Sequence, residues 1–343
     1  MANILVIRLS AIGDVAMTIP VLYNAAKSNP KDSFTVLTQS FLIPIFINRP
    51  DNVKVLGINT KGPEKTLAGL LRFGSALVQY DFDLVLDLHN VIRTKILRSL
   101  FTIKGTKVIV YKKDRHARAL LTARDHKVFK PLESVIKRYA DVFREAGVLY
   151  VEDFVSLYQE KSSDLSFLES EIFPKRNKWI GVAPFAKHQG KIYPLDRMED
   201  VVAKLSERDD FTIFLFGGKG HEESVLAEWA LRYRNVKTVV GKYSLDQELA
   251  LISQLDLLIS MDSANMHFAS LVGTKVLSIW GATHPYAGFY GYHQDPDNII
   301  QLDLSCRPCS VFGEKPCFRG DMACLNQISA EVIINKVEEI LYS

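Results

Sequence analysis

Short apolar runs recur along the chain, separated by stretches whose apolar residues fall three and four positions apart. In the first half the runs at 3–8, 33–37, 53–58, 84–88 and 107–110 are rich in Val, Ile and Leu and read as strands. Helical spacing fills the gaps at 16–28, 66–78 and 94–100, and a further helix over 132–146 ends at Gly147, a residue suited to a C′ position. After a polar stretch at 160–164 and the segment 173–178, a second series begins. Its strands fall at 179–183, 211–216, 236–240, 257–260 and 276–280, and its helices at 197–207, 221–233, 245–254 and 266–272. Strands alternating with helices imply βαβ units and parallel sheets. The expected fold is therefore α/β: two Rossmann-like domains facing each other across a central cleft. Residues 1–165 and 175–327 would form the domains, and 328–343 a final amphipathic helix.

A chain of 343 residues is long enough for two cores. With 48% apolar and 24% charged residues it has the composition of an ordinary globular protein. No run of about 18 uncharged apolar residues suggests a transmembrane helix. Arg8 and Asp14 interrupt the apolar N-terminus, which argues against a secretory signal. The expected location is the cytoplasm, with peripheral contact at the inner membrane surface.

Ligands of parallel α/β sheets bind beyond the carboxyl ends of the strands, so those ends are where chemistry is sought. The first strand runs into Ser10-Ala11-Ile12-Gly13-Asp14 and then a helix. Gly13 permits close backbone approach; Asp14 sits at the edge, either as a helix cap or as a functional carboxylate. In the second half one strand end leads to Lys187 and Lys191, and the next to Gly217-Gly218-Lys219-Gly220 with Glu222 and Glu223. A third opens on Asp262-Ser263-Ala264, with His267 one helical turn further. Cations, a glycine-rich turn, a carboxylate pair and a helix N-terminus on one sheet edge suit a nucleotide diphosphate.

These residues carry a resemblance. RLSAIGDVAMTIPVL from Arg8, KIYP at 191–194, FGGKGHEE at 216–223 and, most specifically, MDSANMHFASLVGTKVLSIWGATHPYAGFYGY at 261–292 are similar to glycosyltransferase family 9, the lipopolysaccharide heptosyltransferases. DLHNVIRTKIL at 87–97 is a weaker match to the family's acceptor-side segment. The resemblance implies a GT-B fold and inverting transfer of a sugar, by family default a heptose from an ADP-sugar, to a lipopolysaccharide-type acceptor. By position it implies Asp14 as catalytic base, Lys191 as a diphosphate contact and Glu222 or Glu223 as a ribose contact. It places Asp262, Ser263 and His267 at the phosphates. Tyr193 stands where tryptophan is common, His284 where aspartate is common, and Ala264-Asn265 where Gly-Pro or Gly-Leu is usual; the last two bear on donor specificity. Backbone around 240–243 is the expected base contact. The alternatives are a nucleotide-sugar enzyme of another type, such as an epimerase, or a regulator that binds nucleotide sugars.

Net charge is +3, but residues 91–138 carry fourteen Lys/Arg against three Asp/Glu, a local +11. Such a stretch suits a solvated face, an acidic lipid-linked saccharide or an anionic leaflet. Nucleic acid is not an expected partner, since the interleaved aromatics of a single-strand platform are missing. Ser10, Gly13, Arg93, Lys95, Arg115 and His116 are the acceptor-side candidates. No Asp-x-Asp pair stands near the diphosphate loops, so no cofactor or metal is expected to be required. All four cysteines fall in one cluster, Cys306, Cys309, Cys317 and Cys324; the first spacing occurs in zinc sites, but free thiols or a disulfide are the preferred reading. In members of the resembling family similar cysteines need not hold metal.

Overall fold

The first apolar run forms β1 (Asn3–Ile7), buried from Ile4 onward, and leads directly into α1 (Ile12–Ser28). There follow β2 (Ser33–Gln39), a 3-10 turn at Ser40–Ile45, β3 (Val53–Ile58), α2 (Leu67–Val78), β4 (Leu84–Asp87), α3 (Ile92–Lys104) and β5 (Lys107–Val110). All five strands are parallel, in the order β3-β2-β1-β4-β5. Helices α2 and α3 pack together over one face, where Leu70, Leu77, Leu97 and Phe101 meet Leu5, Ile7, Leu37 and Val85. Beyond β5 lie α4 (Arg115–Leu121) and α5 (Val135–Ala146). Helix α5 ends at Gly147, which takes φ +86° as a C-terminal glycine should, and packs with α1.

This computed structural model describes residues 1–170 and 172–342. Its second sheet begins with β6 (Lys178–Ala183), α6 (Leu195–Ser206), β7 (Phe211–Leu215), α7 (His221–Arg232) and β8 (Val236–Thr238). It continues with α8 (Leu245–Ile252), β9 (Leu257–Met261), α9 (Ala264–Val272), β10 (Val276–Trp280) and β11 (Ile299–Gln301). The short helix α10 (Ala323–Asn326) precedes the amphipathic α11 (Ala330–Tyr342). The strand order is β11-β10-β9-β6-β7-β8, again all parallel. Alternate residues of β6 divide between the two faces. Ile180 and Val182 meet Met198, Val201, Leu226, Ile333 and Val337, whereas a Cβ on Gly181 would strike Leu255 and Leu258 on the other side.

The chain forms two compact units with boundaries that differ from the expected ones. Residues 1–113 and 133–157 make the first; 114–132 and 158–343 make the second. The segment 114–132 was expected in the first domain because it lies inside the first βα series. Its contacts explain the difference. Lys127 Nζ donates to the carbonyls of Cys306, Arg307 and Pro308 at 3.0, 2.8 and 3.2 Å, Leu132 N donates to Tyr286 O at 2.8 Å, and Phe129 meets His284 edge-on. The connecting stretch 158–177 likewise packs on the second unit, through Ser163 with Gln254 and Lys175 with Asp256. Helix α4 and strand β11 are additions to the expected elements. The former is capped by Asp114, whose side chain accepts Ala117 N; the latter is three residues long at a sheet edge, too short to show a period.

The loop leaving β4 is fixed by a buried charge. Asp87 has no exposed surface; its Oδ1 accepts the amides of His89 and Asn90 at 3.0 and 2.8 Å, and its Oδ2 pairs with Arg98 of α3 at 2.7 Å. Removing the cation strands the carboxylate in a low-dielectric site. Arg98→Met should lower stability by about 2–3 kcal/mol in denaturant titration; an unchanged midpoint would show that the two amides suffice.

Candidate active site

Each sheet reverses its strand order once, between β1 and β4 in the first unit and between β6 and β9 in the second. Crevices open at such reversals, and each holds a cluster of charged side chains.

In the first unit, Ser10, Gly13 and Asp14 lie at the carboxyl end of β1. Asp14 occupies the third position of α1, where its Oδ2 accepts Ala11 N at 3.2 Å. It is thus a helix cap, as one reading of the sequence held. Yet its other oxygen does more: Oδ1 pairs with Arg8 at 2.7 Å and lies 3.4 Å from the Tyr139 hydroxyl. Arg8 is only 6% exposed, donates to Leu88 O at 2.7 Å and lies over the Tyr139 ring. Ser10 Oγ stands 3.4 Å from His89 Nε2. Burial first, then the charges of Arg8 and Lys113, push the His89 pKa down to about 3, so the imidazole is neutral at physiological pH. Burial likewise holds the Tyr139 phenol protonated. Asp14 is therefore the one anionic side chain in a cluster of a guanidinium, a neutral imidazole and a phenol.

Arg93 and Lys95 are exposed in the first turn of α3, on the same sheet edge. Arg115 and His116 are exposed on α4, in the other unit, so the four acceptor-side candidates are not carried by one body. Arg8, His89 and Tyr139 were missed. Arg8 had a visible signal, a charge within a strand that had to be buried and therefore paired. Tyr139 had none, being one more large residue on the inward stripe of α5.

In the second unit the residues expected at four strand ends line one edge. The 3-10 turn Gln189–Lys191 follows β6, and its Gly190 carbonyl accepts Ala282 N at 2.8 Å. A Cβ on Gly190 would come within 2.9 Å of both Ala282 and Gly313 O, so glycine is needed for this close approach. The turn sets Lys191 Nζ 2.9 Å from Asp262 Oδ2, which also accepts the Thr283 hydroxyl at 2.8 Å. Ser263 stands just before α9 with its hydroxyl 3.2 Å from that of Ser260 rather than on a helix amide, Ala264 opens the helix, and His267 is buried one turn along, so Lys191 stands beside a helix N-terminus. Its ammonium has three donors, of which this pair uses one. Lys187 is exposed on the same loop.

The turn after β7 closes on itself. Glu222 Oε2 accepts Gly218 N at 2.6 Å, and Glu223 Oε2 accepts Gly220 N at 3.2 Å. Gly217 packs against Leu226 and Glu222. The other oxygen of Glu223 faces Gly241, which follows β8 with φ +73°. The start of α7 thus carries its own anions, whereas α9 has a lysine beside it. A phosphate is favoured at α9, and hydroxyl donors at the Glu222–Glu223 pair.

All four cysteines are free thiols and line one cavity of about 420 Å³ with His188, Lys315 and Asp321. Among the described residues no three His, Cys, Asp or Glu side chains converge as a metal ligand set. The thiols therefore do not fit the zinc alternative as they stand. The loop is held instead by Arg307, 2% exposed, whose guanidinium donates to the carbonyls of Gly281, Leu302 and Thr283. No helix among the described residues is long and apolar enough to cross a membrane.

Two parallel Rossmann-like α/β units with ligand-type clusters at their strand-order reversals define a GT-B glycosyltransferase fold. It is similar to the structure of E. coli heptosyltransferase WaaC with ADP (TM-score 0.67, 19% identity, covering 98% of this chain and 99% of that one). It is also similar to a family 9 glycosyl transferase from Veillonella parvula DSM 2008 (TM-score 0.76, 18% identity, 99% and 97% covered). The model of glycosyltransferase family 9 (heptosyltransferase) matches residues 70–316, and the chain belongs to that family. Among curated relatives, lipopolysaccharide heptosyltransferase 3 of Escherichia coli K12 is 22% identical over 298 residues, 84% of each chain.

His284, which stands where the family commonly has aspartate, is buried between Phe129 and Tyr286, and its Nδ1 accepts Tyr286 N at 3.1 Å. Burial, with Arg307 adding to it, pushes its pKa down to about 4. A histidine depressed in the folded state supports folding fully above its unfolded pKa of about 6.5 and loses that support as pH falls toward 4. His284→Gln should therefore flatten the fall in stability between about pH 6.5 and 4 by about 1–2 kcal/mol, read from denaturant midpoints across that range. Parallel profiles for the two proteins would show that the ring is not kept neutral.

Proposed function

We propose that this heptosyltransferase-family chain transfers a heptose from ADP-heptose to a lipopolysaccharide core acceptor, with inversion and without a required metal, working in the cytoplasm at the inner membrane. The observation that carries the reading is the Lys191–Asp262 pair beside the N-terminus of α9, at the reversal of strand order. There Lys191 and the first amides of α9 supply positive charge to the leaving diphosphate, a role that a divalent cation fills in other enzymes. Asp262 holds the lysine in place, with Ser263, Ala264 and His267 completing the phosphate end and Lys187 at its margin.

The remaining donor contacts follow the strand ends. Parallel strands lie about 4.8 Å apart, so the ends of β9, β6, β7 and β8 offer an edge long enough for phosphates at one end and a nucleoside at the other. Glu222 or Glu223 accepts the ribose hydroxyls beside Gly217 and Gly218, and the backbone of 240–243 meets the base. The ADP bound by the WaaC structure supports adenine as that base.

Glycosyl transfer passes through an oxocarbenium-like state while a hydroxyl attacks. Asp14 takes the proton from that hydroxyl. Arg8 fixes one oxygen of Asp14, leaving the carboxylate oriented by three partners rather than free to rotate. Ser10 and Gly13 border the acceptor hydroxyl, and Arg93 and Lys95 meet acidic groups of the acceptor.

Thermal melting with a panel of nucleoside diphosphates tests the donor site. ADP at about 100 times its Kd should add about 2.7 kcal/mol, and Lys191→Ala should remove most of that gain, measured against the variant's own apo melting point, which falls because buried Asp262 loses its cation. Equal response to all diphosphates, or to none, would sink the ADP assignment. Asp14→Ala should keep the ADP response but lose about 10² to 10⁴ in turnover with ADP-heptose; near-normal turnover would reassign the base.

A further inference from the structure

We propose that the β2–β3 corner of the first unit docks on an anionic lipid bilayer. Because all five strands are parallel, the 3-10 turn after β2, the loop after β3 and the first turn of α2 emerge on one sheet edge. They form one surface. Thr60 Oγ1 bonds to Gln39 Oε1 at 3.1 Å, joining the loop after β3 to the end of β2. The 3-10 turn lies so close over β3 that a Cβ on Gly57 would stand 2.9 Å from Ile43 Cδ1. The second 3-10 turn, Pro63–Lys65, rests on α2, where a Cβ on Gly69 would overlap Pro63 O.

What this corner shows to solvent is amphipathic. Phe41 is 53% exposed, Ile43 37%, Leu67 59% and Leu71 38%. Around them Lys61, Lys65 and Arg72 are exposed, and none is in an ion pair among the described residues. The single carboxylate there, Glu64, is half-buried and accepts Asn59 N at 3.0 Å. Further along the same edge Ile92, 76% exposed, stands beside Arg93 and Lys95. The opposite edge is different: the loops entering β2, β3 and β4 bring Asp32, Asp51, Asp81 and Asp83 among their cations.

Four large apolar side chains are costly to leave in water as a cluster, and unpaired lysines and arginines beside them exclude an apolar protein partner as the simplest occupant. A negatively charged bilayer satisfies both, taking apolar tips into the headgroup boundary and cations at the phosphates. The inference rests on the proposed working place at the inner membrane and deepens it, naming the docking surface and giving a role to Phe41, Ile43, Leu67 and Leu71.

The test is co-sedimentation of the full chain with vesicles of phosphatidylethanolamine and phosphatidylglycerol, against phosphatidylcholine alone, with no acceptor or donor present. The chain should pellet with the anionic vesicles only. Phe41→Ser with Leu67→Ser, and separately Lys61→Glu with Lys65→Glu, should each weaken binding at least about tenfold. Their ADP-induced melting shift should match that of the parent, which reports an intact fold and keeps this result separate from failure of the donor assignment. Should ADP give no shift, circular dichroism melting serves as the fold control. No binding to anionic vesicles, or equal binding to neutral ones, would overturn the proposal. So would binding that ignores the apolar pair, since the basic stretch at 91–138 would then explain it, or preferential binding of single-stranded RNA.

Discussion

Parallel strands in one sheet all end on the same side, and this constraint organises both units. Each βα turn on that side begins with a strand carbonyl row and ends with a helix N-terminus whose amides lack partners. Where the strand order reverses, neighbouring helices diverge to opposite faces and leave the turn uncovered. The turns after β1 and β4 and those after β6 and β9 are therefore the places where side chains can reach a ligand without displacing the core. Asp14, His89, Lys191 and Asp262 all stand there. The apolar residues of β1, β6 and β9 give those turns a rigid base, since their side chains are wholly or nearly buried on both faces.

Charge placement at these turns follows from the cost of burying it. A buried guanidinium or carboxylate must be paired or bonded by several neutral groups. Asp87 is satisfied by Arg98 and two amides, and Arg307 by backbone carbonyls. These fix loops and have no valence left for chemistry. Arg8–Asp14 and Lys191–Asp262 differ in leaving one partner with open capacity: Asp14 keeps 17% of its side chain exposed, and Lys191 15%. In each pair the more buried member holds the more exposed one in position. That arrangement is what a base or an electrostatic clamp requires, because a pre-oriented charge needs no reorganisation when the reaction develops charge beside it.

Much of this was legible in the sequence, and the parts that were not share a cause. Strands such as 53–58, 107–110 and 276–280 match the structure to the residue, because short runs rich in Val, Ile and Leu bounded by turns mark a strand whether it is buried throughout, as 276–280 is, or half-buried at a sheet edge, as 53–58 and 107–110 are. Gly147 marked a helix end for a conformational reason that is local. Asp14, Lys191 and Asp262 stood out as candidates because they stand at strand ends. What escaped depends on long-range packing. Tyr139 reaches Asp14 from 125 residues away, and its spacing on α5 tells only that it faces inward. The attachment of 114–132 to the second unit rests on Lys127 donating to three carbonyls some 180 residues later, and backbone acceptors leave no trace in side-chain identity. Within that basic stretch Arg115 and His116 are exposed, but Lys127 spends its charge on structure.

The two glycine-containing turns of the second unit show why motif and role have to be separated. FGGKGHEE at 216–223 has the look of a phosphate cradle, with glycines before a helix. In the folded chain its Gly218 and Gly220 amides are taken by Glu222 and Glu223, and two carboxylates at a helix start make that terminus repel a phosphate. The opening of α9 has no glycine in its first turn, yet it is the terminus with a lysine beside it and no acid in its first turn. The proposed phosphate site is therefore at the less glycine-rich of the two. The glycines after β7 serve another end: without side chains there, Glu222 and Glu223 can fold back over the turn, with the second oxygen of Glu223 facing Gly241. A carboxylate so placed discriminates by hydrogen-bond donors rather than by charge, as a sugar ring demands and a diphosphate does not.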